Sequence, residues 1–164
     1  MIQRGHLLQT FPVLGAEWIV RLDVKITNYN FRGYTSLLHL TTGHNCCSWG
    51  DRTPGVFFRG DWNMMQVSSA VNGDADFYQY FFNSERPVPG EWNRLEVSQL
   101  QKNGKLIYSI FINYKRVFFV ENKNPGFFTN VKFYASDPWH EAQPAVIKNL
   151  DFWRYLVPGE NYNP

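Results

Sequence analysis

Three tryptophans lie in segments whose neighbouring side chains are polar and whose glycines and prolines predict turns. An indole ring stacks on the apolar C–H face of a sugar, while nearby amide, carboxylate and guanidinium groups bond with its hydroxyls. These residue types therefore predict a sugar-binding site on loops, and packing inside the protein is the alternative for any one tryptophan. The predicted ligand-binding residues are Trp49, Asp51, Arg52, Trp62, Asn63, Trp139 and His140.

Oxygen-bearing side chains also alternate along one short segment, with Asn72, Asp74 and Asp76 at every second position. Calcium ions take carboxylate and amide oxygens from loops of this kind. The spacing thus suits a calcium site formed by these three residues. The alternative is a tight turn with solvated acids, because Asn, Gly and Asp favour turns without any ligand.

The tripeptide Arg59-Gly60-Asp61 stands between two predicted strands. At an exposed hairpin tip such a tripeptide presents a guanidinium and a carboxylate to an integrin. The same residues are ordinary turn material, and the tripeptide often arises by chance. We therefore do not expect integrin binding through this segment.

The two cysteines, Cys46 and Cys47, are adjacent in the chain. Neighbouring cysteines form a disulfide only with a strained geometry. The sequence thus predicts two half-buried free thiols and no disulfide framework. His39 and His44 are close in sequence, but no motif of a nucleophilic catalyst surrounds them.

Short strands must position all of these residues. Apolar side chains stand at every second position from Trp18 to Ile26, which indicates a half-buried strand. Asn103-Gly104 is a strong hairpin signal, and a second tight turn is predicted at Asn113. Trp18, Trp92 and Trp153 stand beside strand patterns and are expected in the core. Further predicted strands span residues 35–41, 55–58, 64–71, 77–82, 93–98, 106–112, 117–120, 131–135 and 145–154. Many short strands of this kind predict an all-β sandwich or barrel.

The composition is that of one globular domain spanning residues 1–164, with 18% aromatic and 44% apolar residues and a net charge of +2. This apolar content argues against disorder. Without a basic block, nucleic acid is not an expected partner. Apolar runs are too short to cross a bilayer, and the first residues lack the layout of a signal peptide. The polar tail, residues 158–164, is expected to fray.

The order of these parts resembles the concanavalin A-like lectin/glucanase superfamily, in its laminin G-like branch, over residues 10–155. It is also similar to ectodomain modules of marine invertebrates. The segments that carry the resemblance are Trp18–Ile26, Gly50–Phe58, Gly90–Val97, Ile110–Asn113, Asn130–Trp139 and Ala145–Leu150.

The resemblance implies an antiparallel jelly-roll β-sandwich of two curved sheets, with the N- and C-terminal strands side by side. It also implies an extracellular or secreted protein, although the lack of a disulfide framework leaves a cytoplasmic location open. Laminin G-like and pentraxin relatives hold calcium at rim loops. The superfamily includes lectins, glycan hydrolases and adhesion modules, so the fold alone does not select a function.

A missing motif separates these functions. Glucanases of this superfamily place carboxylates at alternate positions of one strand, as Glu-x-Asp-x-Glu. The corresponding strand here contains only Glu96. We therefore expect no enzyme, but a non-catalytic module that binds glycan or matrix ligands through rim loops or a concave face. The alternatives are a protein-binding adhesion domain without a sugar site and, third, a glycan hydrolase.

Overall fold

A computed structural model describes residues 1–155, in which twelve β-strands form two antiparallel layers. The predicted all-β sandwich is confirmed. The tail predicted to fray, residues 158–164, lies outside the described residues. Within residues 1–155, no helix has the length and apolar character that crossing a membrane requires.

The larger sheet has the strand order β1-β10-β3-β4-β5-β6, and a short strand, β11, pairs with β3 in parallel. Its strands are β1 (Leu7–Leu14), β3 (Tyr34–Thr41), β4 (Gly55–Arg59), β5 (Met64–Val71), β6 (Asp74–Phe82), β10 (Phe128–Tyr134) and β11 (Glu141–Ala142). A single 3-10 turn, Asn83–Glu85, follows β6.

The smaller sheet has the strand order β12-β2-β7-β8-β9. Its strands are β2 (Trp18–Ile26), β7 (Trp92–Lys102), β8 (Lys105–Ile112), β9 (Lys115–Glu121) and β12 (Ala145–Arg154). The closing strand β12 pairs with β2, the first strand that the sequence predicted.

The core lies between the two sheets and follows the period of two. Along β2, the side chains of Trp18, Val20, Leu22, Val24 and Ile26 are all buried. From the larger sheet, partners such as Phe58, Met65 and Val67 join the same cluster. Each such side chain contributes about 1.5–3 kcal/mol through burial. The predicted hairpins β7–β8 and β8–β9 are also present. In their turns, Asn103 and Asn113 adopt the positive φ that such turns require.

Strand β1 was not predicted. Six of its eight residues are not buried, and it contains Pro12. Proline is tolerated at a sheet edge, where its missing N–H is not needed, and β1 lies at the edge of the larger sheet. The signal of an edge strand is therefore weak in sequence.

Two predictions about individual residues were wrong. Trp92 and Trp153 are 43% and 44% exposed, because they share the outward face of their strands with charged side chains. Only Trp18 of the three predicted core tryptophans is buried. Cys46 and Cys47 are not free thiols but form a disulfide, with their Cα atoms 3.1 Å apart across a cis peptide bond.

Candidate functional site

An open cleft of about 200 Å³ lies on the outer face of the larger sheet, against strands β3 to β6. Aromatic and polar side chains surround it, together with part of the disulfide. The lining residues are Tyr34, Cys46, Arg52, Phe57, Gln66, Asp76, Tyr78, Tyr80 and His140.

The strand register brings the floor of the cleft together. Phe57 lies opposite Gln66, which in turn lies opposite Tyr80 on the next strand. Successive side chains of a strand point to opposite faces, so the neighbours Phe58 and Met65 enter the core. Three strands therefore place one row of side chains in the cleft.

Gln66 leaves one hydrogen-bonding atom unused at this floor. The residue is 4% exposed, and its Nε2 donates to Ser68 Oγ at 2.8 Å. Its Oε1 has no hydrogen-bond partner within residues 1–155. A buried carbonyl oxygen without a donor costs about 1–3 kcal/mol, and native proteins rarely leave one without a reason. An unpaired acceptor thus belongs to a residue that lines the cleft, and a ligand hydroxyl that reached it would supply the missing donor.

Tyrosines form one wall of the cleft. The rings of Tyr78 and Tyr80 lie 4.8 Å apart, and Tyr78 is 48% exposed. Burial, and next to it the neighbouring hydroxyl of Tyr34, raises the pKa of Tyr80 to about 12. The phenol therefore stays protonated at neutral pH and acts as a hydrogen-bonding group beside an aromatic face.

The two oppositely charged groups of the cleft bind each other. Arg52 Nη1 lies 2.8 Å from Asp76 Oδ1, and Arg52 Nε donates to the Asn45 carbonyl oxygen at 3.1 Å. The guanidinium also stacks over the Phe57 ring at 4.7 Å. Charge and ring together hold the Arg52 side chain, which is only 11% exposed, against the cleft floor.

The disulfide stands at the rim beside the same carboxylate. The Sγ atoms of Cys46 and Cys47 each lie 3.7 Å from Asp76 Oδ2. Two thiolates and a carboxylate at this spacing would suit a metal ion. As a disulfide, however, the sulfurs carry neither the charge for a metal nor a hydrogen to donate to Asp76.

A buried network supports the rim from behind. Asp137 is fully buried and accepts hydrogen bonds from His39 Nδ1 at 2.8 Å and His140 Nδ1 at 3.0 Å. Burial alone would raise the pKa of Asp137, but the bonds and charges of His140 and His39 outweigh it and hold that pKa far below its usual range. His39 Nε2 also lies 2.7 Å from the Asp51 carbonyl oxygen. Since a carboxylate and a carbonyl only accept, both ring nitrogens of His39 donate.

The structure brings part of the predicted ligand-binding set to this cleft. Arg52 and His140 line it. Trp139 is 37% exposed and packs its ring edge-on against His39 behind the lining, with centroids 5.6 Å apart. Asp51 is buried and stabilises the loop between β3 and β4, because its Oδ2 accepts a hydrogen bond from the Ser48 N–H at 2.8 Å.

The other three predicted ligand residues are not among those that line the cleft. Trp49 is 39% exposed and packs towards Phe128, with ring centroids 6.0 Å apart. Trp62 and Asn63 form the exposed turn between β4 and β5. The structure therefore does not gather the predicted set into one site.

The three predicted calcium ligands have separate hydrogen-bond partners. Asn72 Oδ1 accepts from the Lys123 N–H at 2.7 Å, and Asp74 Oδ1 accepts from the Asp76 N–H at 3.0 Å. Asp76 itself belongs to the ion pair of the cleft, and β6 begins at Asp74, so both acids lie in a strand. Calcium binding by this segment stays a prediction.

The Arg59-Gly60-Asp61 segment is folded onto itself. Arg59 Nε lies 3.1 Å from Asp61 Oδ1, and the guanidinium stacks on Trp62 at 3.7 Å from the ring centroid. A Cβ at Gly60 would lie 2.2 Å from the Phe31 carbonyl oxygen, so the turn is held tightly against the chain. Its two charged groups face each other rather than pointing apart.

Sequence reasoning missed most of the cleft. Its unpredicted members are Tyr34, Cys46, Phe57, Gln66, Tyr78 and Tyr80. The sequence pattern that could have predicted the cleft is the occurrence of polar or tyrosine side chains at alternate positions of neighbouring strands. That signal is ambiguous on β6, where aromatic residues occupy both faces, as Phe77 packs against the core and Tyr78 does not.

The carboxylates do not form the arrangement of a glycan hydrolase within the cleft. Asp76 is the one carboxylate among the lining residues, and it is paired with Arg52. Glu96, the lone acid of the predicted strand, lies on the smaller sheet, with its Oε2 4.0 Å from Arg21 Nη1. A hydrolytic pair needs two acids across one cleft.

Comparison with known proteins gives matches in structure only. No family model matches the chain, and no curated protein does. Three similar structures are lectin-like. A native heptameric SAP-like pentraxin from Limulus polyphemus has a TM-score of 0.59 at 11% identity, over 95% of this chain and 76% of that one. The CBM40 module of the Ruminococcus gnavus IT-sialidase, bound to α2,3-sialyllactose, has a TM-score of 0.55 at 13% identity, over 96% and 93%. Sheep galectin-11, in complex with glycerol, has a TM-score of 0.53 at 14% identity, over 93% and 100%.

Alginate lyases are also among the structures that match, so the shared architecture includes enzymes. Identities of 11–14% show a common fold and nothing finer. The laminin G-like branch that the sequence suggested stays a prediction. The chain has the antiparallel jelly-roll β-sandwich fold of these lectin-like structures, and the superfamily that the sequence suggested is consistent with that fold.

Proposed function

We propose that this protein is a non-catalytic carbohydrate-binding module and that its ligand occupies the cleft on the outer face of the larger sheet. The observation that carries most weight is the orphan acceptor, Gln66 Oε1, at a floor flanked by tyrosine rings. Stacking rings beside an unused hydrogen-bonding atom are what a sugar requires, with its apolar faces and its hydroxyls. The lectins and carbohydrate-binding modules among the similar structures support the same class.

An extracellular location fits this function. The Cys46–Cys47 disulfide supports it, because disulfides persist in oxidising compartments. Matrix or cell-surface glycans are then the natural partners, and a protein-binding adhesion domain remains the alternative.

The first experiment is a glycan array, run with and without a calcium chelator. We expect hits that persist in chelator, because the cleft contains no carboxylate except the one bound to Arg52. Loss of the hits in chelator would instead support a calcium site at Asn72, Asp74 and Asp76. No hits in either condition would contradict carbohydrate binding.

The second experiment places the ligand. Gln66→Leu removes the orphan acceptor at nearly constant volume but also removes the bond to Ser68 Oγ, so the two effects oppose each other and we expect little change in stability. The affinity for the array hit should fall about tenfold, since a ligand hydroxyl loses its partner. The matched control is Gln101→Leu, at an exposed position of the smaller sheet. Unchanged affinity of a folded Gln66→Leu variant would exclude this cleft.

A polysaccharide lyase is the second candidate function, because alginate lyases share the fold and the cleft contains Arg52, Tyr80 and His140. Two observations disfavour it. Tyr80 is held protonated by a pKa of about 12, so it is not a ready base, and Arg52, the arginine of the lining, is already paired with Asp76. Incubation with alginate, followed by ultraviolet absorbance of the unsaturated product, tests it directly. We expect no increase in absorbance.

A further inference from the structure

The hydrogen-bonding inventory of the cleft points to a particular class of sugar. Gln66 Oε1 has no donor within residues 1–155. Asp76 has two oxygens, of which Oδ1 is bound by Arg52 and Oδ2 faces the two sulfurs at 3.7 Å. Because a disulfide has no S–H, Oδ2 receives no hydrogen from them. The cleft therefore presents two oxygen acceptors that lack a donor in the part of the chain that the structure describes.

The one arginine of the cleft is already committed. Its Nη1 lies 2.8 Å from Asp76 Oδ1, its Nε binds the Asn45 carbonyl oxygen, and its plane stacks on Phe57. The other basic side chain of the lining, His140, is bound to Asp137. An acidic sugar would thus meet a carboxylate at Asp76 whose neighbouring cation is already paired with it, so no unpaired positive charge among the lining residues would balance the charge of the sugar.

We propose that the cleft selects neutral glycans, which donate hydroxyl hydrogens to Gln66 Oε1 and Asp76 Oδ2, and that the Arg52–Asp76 pair excludes sialylated and uronate-containing glycans. This ligand class rests on the proposed function and makes it more specific. The tyrosine wall is compatible with it, because the protonated Tyr80 adds no charge.

The proposed preference for neutral glycans differs from the ligands of two proteins that share this fold. The Ruminococcus gnavus module was solved with α2,3-sialyllactose, and an alginate lyase was solved with its substrate. Both ligands carry carboxylates. Similar architecture therefore does not transfer ligand charge, which is set here by one ion pair between Asp76 on β6 and Arg52 in the loop before β4.

The test measures affinity for matched pairs of glycans that share a neutral core and differ by one sialic acid or uronate. For the wild type we expect at least about tenfold tighter binding of the neutral member. Asp76→Asn converts the Oδ2 acceptor to a donor and leaves Arg52 without its counter-charge. The ratio should then shrink or reverse, because neutral binding weakens and acidic binding strengthens.

The matched control is Asp151→Asn, which neutralises the carboxylate of another Arg–Asp pair, with Arg21 at 2.8 Å, on the smaller sheet. It makes the same change in net charge and should leave the ratio unchanged. A wild type that binds the acidic member equally well or better would overturn the selectivity while leaving carbohydrate binding intact. Binding of neither member would instead contradict the proposed function. If Asp76→Asn does not fold, the ratio of the wild-type affinities for the neutral and the acidic glycan still tests the proposed selectivity.

Discussion

The outer faces of the two sheets are both rich in polar side chains, but they differ in whether those side chains are satisfied. On the smaller sheet, Arg21 pairs with Asp151 at 2.8 Å, and Arg94 pairs with Asp23 at 3.0 Å. Even the exposed Trp92 is covered by Lys148 Nζ, 4.0 Å from its ring centroid. On the larger sheet, Gln66 Oε1 has no partner among residues 1–155, and the contacts of Asp76 Oδ2 within the same part of the chain are with the two sulfurs.

This difference separates a solvated surface from a candidate binding surface. Paired exposed charges are stable in water and need no ligand. An unsatisfied acceptor enclosed by aromatic side chains is unfavourable until a ligand arrives. Exposure of a tryptophan, which guided the sequence-based site, does not make this distinction. Trp92 and Trp153 are as exposed as Trp49, and Trp92 is covered by the Lys148 side chain.

The largest expected difference is in the free energy of unfolding, between a variant of the buried Asp137 behind the cleft and a variant of the exposed Asp151 on the smaller sheet. Asp137→Asn should destabilise the protein by about 3–5 kcal/mol, because it breaks a fully buried pair with His39. Asp151→Asn, in an exposed pair, should cost less than about 1 kcal/mol. Urea unfolding of both variants measures this. Equal losses would contradict the distinction between a supporting network and a surface pair.

The same network predicts a pH dependence. The pKa of Asp137 is lowered in the folded state, so its contribution is complete above its unfolded pKa of about 4 and declines as the pH falls below that value. The stability difference between wild type and Asp137→Asn should therefore narrow from neutral pH to about pH 2. A constant difference would mean that the carboxylate is not ionised in the fold.

Two aromatic residues of similar exposure test the faces for ligand binding. Tyr78 is 48% exposed on the larger sheet, and Trp92 is 43% exposed on the smaller. Tyr78→Ala should weaken glycan affinity about tenfold, through loss of a stacking ring. Trp92→Ala should leave the affinity unchanged, as titration calorimetry would show. The opposite result would move the binding site to the smaller sheet.

Reduction of the disulfide gives a smaller effect. Free thiols of Cys46 and Cys47 could donate to Asp76 Oδ2 and compete with a ligand hydroxyl. Glycan affinity should then fall about threefold to tenfold in a phosphine reductant, comparable to one hydrogen bond. A double Cys→Ser variant should not respond to the reductant. Full affinity after complete reduction, verified by thiol titration, would exclude this role.

Local patterns predicted most of the fold. The alternation from Trp18 to Ile26 and the turn at Asn103 depend on neighbours in sequence, and both are present. Alternation along β7 also predicts that Trp92 is exposed. Trp92 lies on the same face of the strand as Arg94, two residues later, and on the opposite face from the buried Leu95. The prediction that Trp92 lies in the core considered only that it belongs to a strand, and not which face of the strand it occupies.

The cleft depends on contacts that no local pattern encodes. Gln66 faces Phe57 and Tyr80 only through the register of three strands. Arg52 and His140 enter from loops far apart in the chain. The disulfide was missed for a different reason, since adjacent cysteines rarely pair.

The most direct test of the central claim is an NMR titration of the protein with a neutral glycan selected from the array. Amide chemical shifts should change in β4, β5 and β6, around Phe57, Gln66 and Tyr80, and stay constant in β2, β7 and β12. Shifts confined to β2, β7 and β12 would contradict the account, because the ligand would then lie on the smaller sheet, away from Gln66 and Asp76.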